Sequence, residues 1–442
     1  MENTAFDEKK VISKLRWHLI PLLMFMYMIS IMDRVNISFA ALEMNRELGI
    51  SPDMFGFIAG IFFLAYFFFE VPSNVMMHKF GARIWISRIL VSWGAVTIIT
   101  AFAQTVTHLE ILRILLGICE AGFYPAMILY LTFWFPEKYF ANTVSVFMCG
   151  QALTNIITGP ISTFIIDNVS WLGLAGWRWL FILEGVPAVV LGLFVLFVMI
   201  DRPEQADFLE ADEKAWLLET LAQEREAKMA KVPANKWKVF MDKKVWHLSF
   251  SYLCYVITLY GLGLWMPQII KALSQTLSNT SVGLISAVPY ICGGIAMVLV
   301  ARHSDKTMER RYHVALPIAI AFFSLIGMTF TSDLLISVVL LCVSTAAIYC
   351  FVGTFWTLPT MFLTEATAAI GIAIINSVAN LGGFVGPFVV GYLKSATHSD
   401  VFGMYFLATF ALLATASVLL LKKKGKPCTY GSMETEKIVC KN

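Results

Sequence analysis

Four ionisable side chains lie where a chain this apolar would be expected to carry none. The stretch 109–135, LEILRILLGICEAGFYPAMILYLTFWF, is long enough to cross a bilayer as a helix, yet it contains Arg113 and Glu120. Seven residues make almost two helical turns, so the two side chains project from the same face. An earlier apolar run, 17–39, carries Asp33, Arg34 and Asn36 within ISIMDRVNISF. Ionised groups at membrane depth are costly, so they are expected to face a bundle interior or a water-filled cavity and to mark a transport path. For one such pair in one helix, an ion pair that merely fixes packing is an even competitor. Two acids and two bases on two separate helices favour function.

The elements that must position these groups follow from composition. The chain has 442 residues, 58% hydrophobic and 14% charged, with a mean hydropathy of +0.73, which excludes an ordinary soluble domain and fits a polytopic membrane protein. Apolar runs of spanning length number six between 17 and 200 and six between 245 and 421, which predicts an all-α membrane protein of twelve transmembrane helices. The expected organisation is a six-helix domain over 1–200, a linker over 201–244 with a surface helix, a second six-helix domain over 245–421 and a polar tail over 422–442. Span five carries Gly159-Pro160 and span eleven Gly386-Pro387, so the halves read as a parallel pseudo-repeat. Sorting the loop Lys and Arg by side puts 27 with the N-terminus and only Arg46, Lys271 and Lys394 opposite, which predicts both termini in the cytoplasm. The apolar segment after the N-terminal residues is too long for a signal-peptide core and reads as a retained first helix.

Other chemistries find no support. The eight cysteines form neither a disulfide framework nor a zinc spacing, and the seven histidines suggest no metal site. No Ser/His/Asp, HExxH or phosphate-cradling glycine motif occurs, so enzyme activity and cofactors are not expected. A net charge of +3 leaves no nucleic-acid footprint.

An ordered set of motifs carries a resemblance: MDRVNI at 32–37, EVPSNVMMHKFGAR at 70–83, RILLGICEAGFYPA at 113–126, GWRWLFILEGVPA at 176–188 and INSVANLGGFVGP at 375–387. On these the chain resembles the major facilitator superfamily, and more narrowly its anion:cation symporter family. The resemblance implies proton-coupled uptake of organic anions, sugar acids and other small carboxylates among them, by alternating access of two six-helix domains in the cell membrane. It implies Asp33 and Glu120 as the proton-binding carboxylates, with Arg34 and Arg113 beside them, and it places Tyr66, Gln151, Trp356 and Asn376 at the cavity. The positions around Gly353 and Phe355 offer no hydroxyl where sugar-acid carriers often have one, which is a departure from the pattern.

The residues support a mechanism of their own. Arginine presents a planar fork suited to a carboxylate, with Arg34 the first choice for the substrate and Arg113 the second. Moving an arginine from acid to substrate would change the acid's proton affinity, which is a coupling device. The second half contributes neutral groups for the body of the substrate: Tyr260, Trp265, Gln268, Trp356 and the i,i+4 pair Asn376 and Asn380. Glu70, Asn74 and Arg83, and likewise Asp305 and Arg311, are expected to latch spans together and act in gating. Glu184 is expected to pair with Arg178 or a neighbouring helix in a structural role. The partners implied are a small organic anion, protons and lipid, for a chain acting as a monomer. The rivals are an exporter of the same fold and a nontransporting sensor.

Overall fold

A computed structural model describes residues 7–230, 236–362 and 365–421. The expected polar tail, with its KKKGK run from Lys422, lies outside the described residues. Twelve helices among the described residues have the length and apolarity to cross a membrane. The first half comprises α1 (Glu8–Glu47), α2 (Pro52–Phe80), α3 (Ala82–Thr100), α4 (Val106–Glu120), α5 (Phe123–Thr132), α6 (Glu137–Asn168) and α7 (Gly176–Val198). The linker helix α8 is Ala211–Ala230. The second half comprises α9 (Lys243–Leu273), α10 (Asn279–Thr307), α11 (Arg311–Met328), α12 (Leu334–Phe355), α13 (Thr357–Phe362), α14 (Glu365–Thr397) and α15 (Val401–Leu420). Each half has six spans because α4 with α5, and α12 with the first residues of α13, form single broken crossings.

Local sequence sets the helix ends. Asp7, Thr105, Asp242, Ser278 and Asp333 cap α1, α4, α9, α10 and α12, each side chain accepting from a backbone N–H of the first turn. The 40 residues of α1 outrun any bilayer core, since 1.5 Å per residue gives about 60 Å against about 30 Å of hydrocarbon. The helix therefore projects at its start, where Val11, Ile12 and Leu15 are buried and Lys14 reaches Glu210 and Glu213 near α8. The linker is seated on the first half by further contacts: Phe208 stacks on His18 and Trp134, and the Glu224 carboxylate accepts from the Glu137 amide.

The fourth crossing is broken where one continuous helix was expected. Ala121 turns to ψ 132° and Gly122 to φ +83°, so α4 ends at Glu120 and α5 restarts at Phe123. Gly122 is required twice over, because a side chain there would be strained at positive φ and would run into Ser73 Oγ.

The halves meet in a pseudo-symmetric way, α2 against α14 and α10 against α6. Both contacts are backbone-close. A Cβ on Gly56 would meet Pro387 O at 2.5 Å, and one on Gly159 would meet Gly283 O at 2.7 Å. These positions lie toward the face opposite the start of α1, here the far face; the face bearing the start of α1 and α8 is the near face. Polar contacts close the same end. Asp167 accepts from Asn279 Nδ2 at 2.8 Å and from Thr280 N and Oγ1 at 2.7 Å each, and Ser395 donates to Asp53 at 2.8 Å. The far face is thus sealed between the halves.

Candidate functional site

The interior charges sit in two layers. Nearest the boundary between the halves, Arg34 Nε donates to Glu120 Oε1 at 2.6 Å, and Ser30 Oγ donates to the same oxygen at 2.7 Å. The α4 break explains why an arginine is needed here, since Glu120 ends the helix among backbone carbonyls at the negative pole of the α4 dipole. Arg88 reaches the same end from α3, its Nη1 donating to Cys119 O at 3.3 Å. The Arg34 guanidinium also lies 4.9 Å from the Tyr66 ring centroid and 5.7 Å from that of Phe62, a cation–π arrangement.

Behind this layer are Asp33 and Arg113, each only 1% exposed. Asp33 accepts from Asn36 Nδ2 at 2.9 Å and from Thr97 Oγ1 at 2.6 Å. Arg113 shares the Phe62 ring with Arg34, at 5.3 Å, while its Nε and Nη2 have no hydrogen-bond partner. Arg34 Nη2 and Glu120 Oε2 are likewise unpartnered. Buried polar atoms are normally satisfied, so this concentration of free donors and acceptors marks a place built for a ligand, a proton or water.

A small cavity lies against the first layer, at the boundary between the halves. Its wall includes Arg34, Gln151 and Asn155 from the first half and Tyr260, Tyr290 and Tyr349 from the second. Asn155 Nδ2 donates to Tyr349 Oη at 2.7 Å, linking the halves beside Arg34, and Tyr27 Oη donates to Gln151 at 3.2 Å. Of the residues singled out in the sequence, Arg34, Gln151 and Tyr260 are on this wall, and Glu120 and Tyr66 touch Arg34 from behind. Asp33 and Arg113 are not on it. Trp356 packs edge-on against Tyr252, with centroids 4.8 Å apart, and does not reach the wall; nor does Asn376. Asn380 turns to the first half, its Nδ2 lying 3.5 Å from Glu70 Oε2. The sequence reading missed Asn155, Tyr290 and Tyr349. Asn155 was signalled by its place one turn beyond Gln151 on the same helix face, whereas the two tyrosines carry no signal separating a cavity wall from core.

Several expected pairings are different. Glu70 contacts Asn380 across the halves and its carbonyl accepts from Asn74, but Arg83 belongs to another contact, its backbone N–H donating to Asp201 at 2.8 Å. The geometric reason is that Arg83 opens α3 at the near face, level with the end of α7. Asp305 pairs with Arg310 at 2.5 Å rather than with Arg311, because α10 ends at Thr307 and the turn carries Arg310 back over it. Arg311 instead lies against the Tyr312 ring. Arg178 binds Glu47 at 2.9 Å and the carbonyls of Ala101 and Ala103, leaving Glu184 to Ser162 Oγ at 2.7 Å.

Comparison with known proteins agrees with this architecture. The chain is 44% identical over 416 residues to a protein of Agrobacterium vitis named "Putative tartrate transporter", covering 94% of this chain and 95% of that one. It is 36% identical to the "Quinolone resistance transporter" of Acinetobacter baumannii, covering 96% and 98%. Among solved structures, a bacterial homologue of the human lysosomal transporter Spinster superposes with a TM-score of 0.77 at 16% identity, covering 92% of this chain and 96% of that one, a likeness of fold. The Major Facilitator Superfamily model matches residues 23–387, which span both charged layers, the cavity wall and the paired glycine contacts. A multi-pass chain of twelve spans in two six-span halves, with a cavity between them, therefore belongs to the Major Facilitator Superfamily and is a membrane transporter.

Proposed function

We propose that this transporter carries a small organic anion, a sugar acid, hydroxy-dicarboxylate or other carboxylate, into the cell together with protons. The observation that carries the reading is Arg34: a guanidinium on the cavity wall, bound to a buried carboxylate that can release it by taking a proton. In the cycle proposed, a proton binds Glu120, its carboxylate becomes neutral, and Arg34 is freed to take the substrate carboxylate through its planar fork. Release of the anion and loss of the proton restore the pair. Asp33 sets the charge behind this exchange. Tartrate, for which the Agrobacterium vitis relative is named, has the chemistry such a site would accept. The site of action is the cell membrane with both termini cytoplasmic, which the distribution of Lys and Arg supports. The near face would then be cytoplasmic and the sealed far face external. The transporting unit is taken to be one chain.

The test is uptake of a panel of labelled organic acids into proteoliposomes, with and without an inward proton gradient, beside Asp33→Asn. Gradient-driven accumulation that the variant loses supports the reading and identifies the substrate class. Folded protein that takes up no acid refutes it. The 36% identity to a protein named for quinolone resistance favours export as the second reading, and inside-out vesicles loaded with a quinolone would test that directly.

A further inference from the structure

Besides Glu70, the first half buries three acids, Asp33, Glu120 and Glu184, with two arginines, Arg34 and Arg113, in the layers described above. Arg34 is taken by Glu120. Arg113 is the counter-charge next to Asp33. Glu184, 4% exposed, is left without a cation, because Arg178 is engaged by Glu47 and two backbone carbonyls. Its charged surroundings on every packed helix are accounted for. On α1 the nearby acid is Asp33, and Glu43 and Glu47 lie farther toward the far face. On α3 Arg88 is turned to the end of α4. On α6 Ser162 supplies one hydroxyl, and Asp167 is committed to α10. A carboxylate so placed costs several kcal/mol to keep ionised, and a proton removes that cost.

Asn36 joins the two acids. Its amide donates to Asp33 at 2.9 Å and also lies against the Glu184 carboxyl. Both Glu184 Oε2 and Asn36 Oδ1 are buried without a partner. A proton on Glu184 removes the uncompensated charge that this arrangement leaves in the first half.

We propose that Glu184 is a third proton-binding residue of the transport cycle, holding the proton in the far-face-sealed state and exchanging it with Asp33 across Asn36. In that exchange the O–H bond on Glu184 breaks and one forms on an Asp33 oxygen. The pair keeps a net charge of −1, matched by Arg113. The proton thus moves within the first half, behind the substrate cavity and without crossing it. This inference rests on the proton-coupled reading above.

The test compares wild type with Glu184→Gln in proteoliposomes, following gradient-driven accumulation, counterflow exchange and substrate-induced alkalinisation outside. Glutamine keeps the shape and the bond to Ser162 but can neither take nor give a proton. Accumulation is expected to fall at least tenfold and alkalinisation to vanish, while exchange falls less than threefold and Glu184→Asp recovers part of the coupling. A variant that accumulates substrate as the wild type does overturns the proposal, as does an equal loss of accumulation and exchange, which is the signature of a structural role. If Glu184→Gln does not fold, Asn36→Ser decides: coupling lost with exchange kept supports the shared proton, and unchanged coupling overturns it. A wild type without proton dependence would instead refute the underlying symport reading, so the two failures are separable.

Discussion

The fourth crossing of each half is interrupted, in mid-span at Ala121 and Gly122 in the first and near the end at Trp356, where the backbone stays helical, in the second, and the two interruptions carry opposite chemistry. In the first half the last residue before the break is Glu120, tied to Arg34. In the second it falls at Phe355 and Trp356, stacked and edge-on against Tyr252. The contrast extends through the halves, since the buried charged residues of the described spans, Asp33, Glu70, Arg113, Glu120 and Glu184, all belong to the first. Among the described residues, the polar side chains that the second half buries are hydroxyls, thiols and amphipathic aromatics. Two interruptions of unlike backbone geometry thus carry charge on one side and shape on the other. Coupling is therefore expected to reside in the first half and substrate fit in the surface the second presents.

The strongest attack on that division is Arg34→Ala. It removes the cavity's cation and leaves Glu120 buried with the Ser30 hydroxyl but no counter-charge, a defect worth about 3–5 kcal/mol. Substrate affinity measured by calorimetry should fall at least about 100-fold, each 1.4 kcal/mol being a factor of ten. Arg34→Lys, which keeps the charge and loses the fork, should recover only part of it. Normal binding by Arg34→Ala would move the anion site elsewhere. Glu120→Gln comes next. It removes the negative charge from the ion pair, so gradient-driven accumulation should be lost while exchange remains measurable. A variant that still concentrates substrate would show that Glu120 is not the coupling acid.

The interface between the halves sharpens the comparison, because there the two sides are equals. Asp167 accepts three hydrogen bonds at the N-terminus of α10, where the helix dipole also favours a carboxylate. The site is exposed, so Asp167→Ala should cost about 1 kcal/mol of far-face closure and shift the equilibrium about fivefold toward the open state. Faster labelling of Val35→Cys by a bulky maleimide from the far side would report that shift. An unchanged rate would leave the seal to the close contacts at Gly56, Gly159 and Gly283 and to the Ser395–Asp53 bond.

Hydropathy made the twelve spans and the linker helix legible, because apolar length is set by the bilayer and survives any detail of packing. Arg113 and Glu120 were legible as anomalies for the same reason. The break at Gly122 was not, although Gly122 and Pro125 mark it, because an apolar run gives no phase information when every position is lipid-compatible. Partner choice was the weaker inference. Arg83, Arg178 and Arg311 each had an acid nearby in sequence and a different neighbour in space, since long side chains at helix ends answer to tertiary geometry. Tyr290 and Tyr349 stayed hidden because tyrosine is equally at home in a core and on a cavity wall.

The smallest expected effect concerns the linker, which is seated on the charged half. Glu213 is buried, which alone would push its carboxyl up, but Lys14 Nζ lies 2.6 Å away and the Glu210 backbone N–H donates to it, and together they hold it below the ordinary glutamate value of about 4.5. A depressed carboxyl contributes stability that is complete above the ordinary value and is lost as pH falls through the lowered one. Docking of α8 on α1 should therefore be constant from neutral pH down to about 4.5 and weaken only below it. In Glu213→Gln that acid-side loss should disappear, with docking weaker than wild type at neutral pH and the difference closing in acid. Hydrogen exchange of the α8 amides in detergent micelles measures this. Because neither the cavity nor the far-face seal includes Glu213, transport at neutral pH should change less than about twofold, within the range of a surface ion pair. A larger loss would mean that the linker, and not only the charged interior, takes part in moving the first half against the second.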